Sequence, residues 1–158
     1  MITTNDILRS LRYSLNISDA TVIKIFKLTD YELSFDQLTN LLKKEDEEGY
    51  EICRHYVLAH FLDGMIIYKR GQQEGKTYEP PKTSLFLSNN LILKKIRIAL
   101  ELQEDEMLEI LYLAGFVVSK HELGAFFRKE GHHNYRECGD QFLRNFLKGL
   151  AIRYRHSE

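Results

Sequence analysis

The chain has 158 residues, of which 44% are hydrophobic and 28% charged, with no Trp and a formal net charge of −1. That balance excludes a collagen-like, low-complexity or disulfide-stapled chain and fits one ordinary globular protein or two very small domains. The longest apolar stretch, Leu111 to Val118, is interrupted at Gly115 and falls far short of the roughly 20 residues that span a bilayer. No charged start followed by an apolar run opens the chain, and Cys53 and Cys138 lack CxxC spacing, so a reducing, cytoplasmic setting is expected.

In chain order, apolar residues at helical intervals (Ile7, Leu8, Leu11, Leu15) predict a first helix from about Thr4 to Leu15. Ser18 is placed as the N-cap of a second helix through Val22, Ile25 and Phe26. A third helix opens on Ser34-Phe-Asp-Gln37, a capping-box pattern. The fourth and longest carries Cys53, Val57, Leu58, Phe61, Leu62 and Met65 on one stripe, with Gly64 inside it. Glycine costs roughly 1 kcal/mol against alanine within a helix, so Gly64 marks a close helix crossing. Residues 72–87 then read as a linker containing the two prolines of the chain, Pro80 and Pro81, with Leu85-Phe-Leu87 as a docking end.

Beyond the linker the pattern starts again. Shifting the chain by 85 residues aligns Asn5–Gly71 with Asn90–His156 without a gap, and 19 of the 67 pairs are identical. Cys53 meets Cys138, Tyr50 meets Tyr135, Arg12 meets Arg97 and Gly64 meets Gly149. Ser119-Lys-His-Glu122 repeats the capping box, and the second-copy helix around Met107, Leu108, Ile110, Leu111, Leu113 and Ala114 is apolar almost all round, which places it at the centre. The expected fold is therefore all-α, a tandem duplication of a roughly four-helix unit packed with pseudo-two-fold symmetry. Residues 1–71 form the first repeat and 88–158 the second. Units of about 70 residues bury little alone, so the two are expected to pack apolar faces together.

Asn89-Asn90 with Lys94-Lys-Ile-Arg-Ile-Ala-Leu100, and Asn134-Tyr-Arg-Glu-Cys-Gly-Asp-Gln141 followed by Leu143-Arg-Asn-Phe-Leu-Lys-Gly-Leu150, resemble the YehS-like family. Asn5-Asp-Ile-Leu8 and Phe61-Leu-Asp-Gly64 extend the resemblance over essentially the whole chain. It implies a bacterial cytoplasmic protein of two related helical units, and it brings no activity, cofactor or catalytic residue with it. Where the second copy has Cys138-Gly-Asp140, the first has Cys53-Arg-His55.

Charge separates the copies: residues 1–79 sum to −3 and residues 80–158 to +2. The C-terminal bases Arg128, Lys129, Arg136, Arg144, Lys148, Arg153 and Arg155, with Asp140 on the same helix stripe, form the candidate binding surface. An exposed stripe of weak ion pairs is the simpler account of them; a polyanion such as nucleic acid, or a protein partner, is the functional one. The second and third helices also read as a helix-turn-helix, with Ser119–Lys129 presenting Lys120, His121, Arg128 and Lys129, but the apparent turn Ala114–Val118 is longer and more apolar than the usual three to four residues. Arg12 and Arg97 read as internal ion pairs or carbonyl caps, with Glu45 and Glu130 as partners, and Tyr50 and Tyr135 as anchors for the last helix. Cys53, His55 and His60, and His132, His133 and Cys138, lack zinc-site spacing. The cysteines read as buried small hydrophobes on the apolar stripe. No cofactor and no catalytic constellation is expected, which leaves a non-enzymatic binding or regulatory module, with nucleic-acid binding as its alternative.

Overall fold

The computed structural model describes residues 1–72 and 74–155, and among these every regular element is a helix. The first repeat contains α1 (Thr4–Leu15), α2 (Asp19–Lys27), α3 (Phe35–Leu42) and α4 (His55–Arg70). The second contains α5 (Asn89–Leu100), α6 (Glu104–Leu113), α7 (Lys120–Ala125) and α8 (Asp140–Arg155). The 85-residue shift carries the bounds of α1 onto α5 and of α4 onto α8 without change.

Local chemistry explains these bounds. Thr3 and Asp6 cap α1 reciprocally, each side chain accepting from the other's amide at 3.0 Å. Ser18 caps α2, and Ser34 with Gln37 forms the expected box at α3. At α7 only half of that box forms: Glu122 Oε1 accepts from the Ser119 hydroxyl at 3.1 Å instead of from its amide. Both α1 and α5 end on a left-handed residue, Asn16 and Glu101, at the same φ of 52°. The last helices start later than the apolar stripe suggested. Cys53 and Cys138 lie in the lead-in segments, where Arg54 is still extended and the cysteine amides are held by the side chains of Asn5 and Asn90.

The repeats embrace each other. The most extensive helix pairs are α1 with α8 and α4 with α5, each joining one repeat to the other. Contacts of α1 with α4 and of α5 with α8 close a ring of four helices around the pseudo-two-fold axis. These four run in one direction. At one end the Ile2 amide meets Asp140, the Leu87 amide meets His55, and Asn89 meets Cys138. At the other, Arg155 meets Asn16, and Arg70 lies 3.4 Å from Glu101. Within each repeat α2 and α3, or α6 and α7, carry the chain back to the starting end, which is what permits α1 and α4 to be parallel. All four macrodipoles consequently add at the N-terminal end.

Around this ring α2 packs on α4 and α6 on α8. Gly64 and Gly149 make both crossings possible: a Cβ at Gly64 would overlap the Ile25 carbonyl oxygen, and one at Gly149 the Ile110 carbonyl oxygen. The apolar helix α6 is therefore peripheral, not central, because the ring positions are taken by α1, α4, α5 and α8. Its surplus apolar surface faces water, with Tyr112 70% exposed and Val117 of the following turn also exposed. The linker end docks in part: Leu87 is buried, while Phe86 is 77% exposed and stacks on the His55 ring at 4.9 Å.

Candidate functional site

The bases of the second repeat divide into two groups. Arg153 reaches Glu106 at 2.8 Å and Glu109 at 3.7 Å, and Arg155 binds Asn16 while lying 4.4 Å from the Tyr13 ring centre. Both are occupied within the fold, at the C-terminal end of the ring. Asp140, Arg144, and Lys148 do share one stripe of α8, with Arg136 just before it. Arg144 donates to the Met1 carbonyl at 3.0 Å. Asp140 accepts from the Asn89 side chain at 2.8 Å and from the Ile2 amide at 3.2 Å, and these two bonds hold its carboxyl below the usual aspartate range. Arg128, Lys129, Arg136 and Lys148 are exposed, with no side-chain partner among the described residues. In α7, a helix of six residues, Lys120 lies 3.5 Å from Asp105.

The shared polar pair takes partners other than Glu45 and Glu130. Arg12 bonds Asp19 at 2.8 Å, because the turn after α1 brings the start of α2 beside it. Arg97 instead donates to the Leu102 carbonyl at 3.0 Å, with its guanidinium 4.7 Å from the Phe127 ring centre. Tyr50 donates to Asn5 Oδ1 at 3.2 Å, while Tyr135 sits half-buried in a groove with His121 and His133.

Asn5 and Asn90, absent from the candidates above, turn out to organise both repeats. Asn5 donates to the carbonyls of Leu41 and Glu51 (2.9 and 2.8 Å) and accepts from the Cys53 amide at 2.9 Å. Asn90 does the same with Phe126, Arg136 and Cys138 (3.0, 2.8 and 2.8 Å). Each clamps the segment that leads into the last helix of its repeat. Burial pushes both cysteine thiols up to about 12, so neither supplies a thiolate at neutral pH. His60 is 6% exposed, bonded through Nδ1 to the Thr29 hydroxyl at 3.0 Å, and burial lowers its pKa. His132 and His133 stack on each other, centroids 4.5 Å apart. Among the described residues no three His, Cys, Asp or Glu side chains converge as metal ligands.

A cleft of about 540 Å³ opens where the two repeats meet, at the N-terminal end of the ring. Ile2, Ile7, Leu87 and Ile92 line it together with Ile52 and Leu85, and Thr3, Thr4, Arg54, His55, Thr83 and Asn89 supply its polar groups. The 85-residue shift maps Ile2 onto Leu87, Thr4 onto Asn89 and Ile7 onto Ile92, so equivalent residues of the two repeats meet in the cleft, while Ile52–His55 line it and their counterparts Glu137–Asp140 do not. The same shift relates the two backbone bonds at its edges: Leu87 N–H to His55 Nδ1 at 2.9 Å, and Ile2 N–H to Asp140 Oδ2. The symmetry holds in geometry and breaks in chemistry.

Residues 4–71 and 89–156, the two helical repeats, each match the model of a family described as a protein of unknown function (DUF1456). The chain belongs to this family. It is also 45% identical over 150 residues to the uncharacterized protein YehS of Escherichia coli (strain K12), which covers 95% of each chain. No solved structure matches it, and no helix among the described residues is long and apolar enough to cross a membrane.

The DUF1456 chain thus places its cleft at residues that its internal comparison touches only in part. The difference between Arg54-His55 and Gly139-Asp140 is visible in the aligned copies. Nothing in the sequence says that Arg54 and His55 face a cavity shared with Ile92 of the other repeat, since that depends on α1 packing against α8 and α5 against α4. For Asn5 and Asn90 a signal does exist: an identical amide inside both first helices, where Asn has poor helix propensity.

Proposed function

We propose that this protein is a non-enzymatic, cytoplasmic binding module whose ligand enters the cleft between the repeats. One observation carries the reading: a cleft of about 540 Å³ opens where Ile2 and Ile7 of one repeat meet Leu87 and Ile92 of the other, and Arg54 and His55 line it while their counterparts Gly139 and Asp140 do not. Its size falls within the roughly 300–1,000 Å³ of small-molecule sites, and its lining of apolar side chains with a few polar groups has the composition of such sites. Isoleucine-methyl NMR during titration with a fragment library tests this. Saturable shifts confined to Ile2, Ile7, Ile52 and Ile92 are expected; shifts scattered over the surface, or none, refute it.

Nucleic-acid binding is the second reading, supported by Arg128, Lys129, Arg136 and Lys148, which are exposed and have no side-chain partner among the described residues. Its case is narrower with Arg153 and Arg155 engaged inside the fold. Fluorescence anisotropy with mixed DNA and RNA oligonucleotides across a salt series decides it, because phosphate contacts weaken steeply with salt. No salt-sensitive binding at low ionic strength removes the reading.

A further inference from the structure

Although the whole chain carries 23 acidic against 22 basic residues, the wall of the cleft contains no Asp or Glu. The polar groups along that wall are already divided between structural and free. Thr3 caps α1, Thr4 donates to the Cys53 carbonyl, and Asn89 is shared between Cys138 and Asp140. Among the described residues, the side-chain groups left without a partner are the exposed Arg54 guanidinium, the Thr83 hydroxyl and Nε2 of His55. Because His55 Nδ1 accepts from the Leu87 amide, its neutral ring carries the proton on Nε2. The free side-chain set is therefore one cation and two further donors, with Phe86 stacked against the imidazole to hold it.

Asp140 stands at the edge of the same end, outside the lining, with one oxygen on Asn89 and the other on Ile2. Its charge is directed to those two donors. The four aligned helix dipoles add positive potential at this end. Ile7 and Ile92, each 2% exposed, form an apolar floor, Met1 and Ile52 of the lining hold large apolar side chains in water, and exposed Phe86 adjoins them on the His55 ring. Contiguous exposed apolar groups around a cavity are a mark of a binding surface.

We propose that the cleft takes a small amphipathic anion. A single carboxylate or phosphate head sits on Arg54, His55 Nε2–H and the Thr83 hydroxyl, and the apolar body lies against Ile7, Ile92 and the Ile52 rim. This inference rests on the binding-module reading and adds the ligand's charge and shape to it. An Arg–anion contact of this kind is a charge-assisted hydrogen bond, about twice as strong as a neutral one.

The test uses the full chain with labelled isoleucine methyls, titrated below their micelle concentrations with decanoate, decyl phosphate, decanol and decylamine. An Arg54→Gln variant is run in parallel; Arg54 is exposed and without a side-chain partner, so the fold survives the change. Decanoate or decyl phosphate is expected to shift Ile7, Ile52 and Ile92, with decanol about tenfold weaker or more and decylamine weaker still. Arg54→Gln is expected to weaken the anions by about tenfold and leave decanol unchanged. Which head binds tighter separates a carboxylate from a phosphate ligand. Equal binding of all four heads, or no effect of Arg54→Gln on the anions, overturns the anionic head while leaving the cleft as a binding site. No shift of these methyls with any of the four overturns both.

Discussion

At His55 and Asp140, which occupy one position in the two repeats, the same backbone event takes place with different chemistry. An imidazole nitrogen captures the amide of Leu87 and a carboxylate captures that of Ile2, each amide preceding the first helix of the opposite repeat. Arg12 and Arg97 behave likewise, one on a carboxylate and the other on a carbonyl and an aromatic face. The reciprocal packing of first on last helices therefore tolerates a change of residue wherever geometry preserves a donor and an acceptor. What it does not tolerate is a change of volume at the crossings or the loss of a buried amide, and there the repeats are identical: Gly64 and Gly149, Asn5 and Asn90.

The largest expected effect comes from the glycines. Gly149→Ala should destabilise by about 3 kcal/mol or more, since overlap with the Ile110 backbone outweighs the roughly 1 kcal/mol of helix propensity gained. Gly64→Ala should cost less, because its Cβ meets the Ile25 carbonyl less closely. Urea denaturation of the two variants measures the difference, and equal stability to the parent chain would show that the crossings can open.

Next are the amides. Asn5→Ala leaves two carbonyls and the Cys53 amide without their partner, and an unsatisfied buried group costs about 1–3 kcal/mol. Asn90→Ala orphans the equivalent three groups, but Asn5 also receives the Tyr50 hydroxyl, so the first-repeat variant is expected to lose more. Chemical denaturation and hydrogen exchange of the residues before α4 and α8 separate the two losses.

A third contrast is in acid response. His60 is equivalent to Asn145, which does not titrate. Burial lowers the His60 pKa from its ordinary 6.5, so as pH falls below about 6.5 the unfolded chain takes up a proton that the folded chain refuses. Stability is full above that pH and declines below it. His60→Asn, which copies the second repeat, should flatten the decline in melting temperature between about pH 6.5 and 5, whatever it does to stability at pH 8. An unchanged slope would assign the decline to other groups.

The smallest effect is at the helix ends. Asn16 and Glu101 share a left-handed conformation that Asn adopts at less cost than Glu. Glu101→Asn makes the second repeat match the first and gives up only an exposed pair with Arg70, worth under about 1 kcal/mol. A gain of about 0.5 kcal/mol is expected from thermal unfolding.

Much of this fold was legible in the residues. The caps at Ser18 and Ser34, the start and end of α1, the duplication and the close crossings at both glycines all depend on neighbours within a few residues or on a steric rule that needs no coordinates. Where the structure departs from the sequence pattern, the cause is a distant contact. The apolar character of α6 suggested a central place, yet the centre had room for four helices and the first and last of each repeat filled it. Arg12 looked toward Glu45 because the aligned copies kept both, while the turn after α1 had already delivered Asp19. Cys53 matched the stripe of α4, but Asn5, 48 residues earlier, holds its amide in the lead-in.

The sequence by itself determined the helices, their repetition and the apolar stripes of α1 and α4 with their copies, because helix periodicity, capping and duplication are local or periodic properties of the chain. Only the tertiary structure decided that four helices run parallel, that the first helix of each repeat packs on the last helix of the other, and that Arg54, His55, Ile7 and Ile92 share one cleft. Those outcomes depend on which apolar face meets which, and each repeat offers the same faces to itself as to its copy. The choice between them is made when both are folded together.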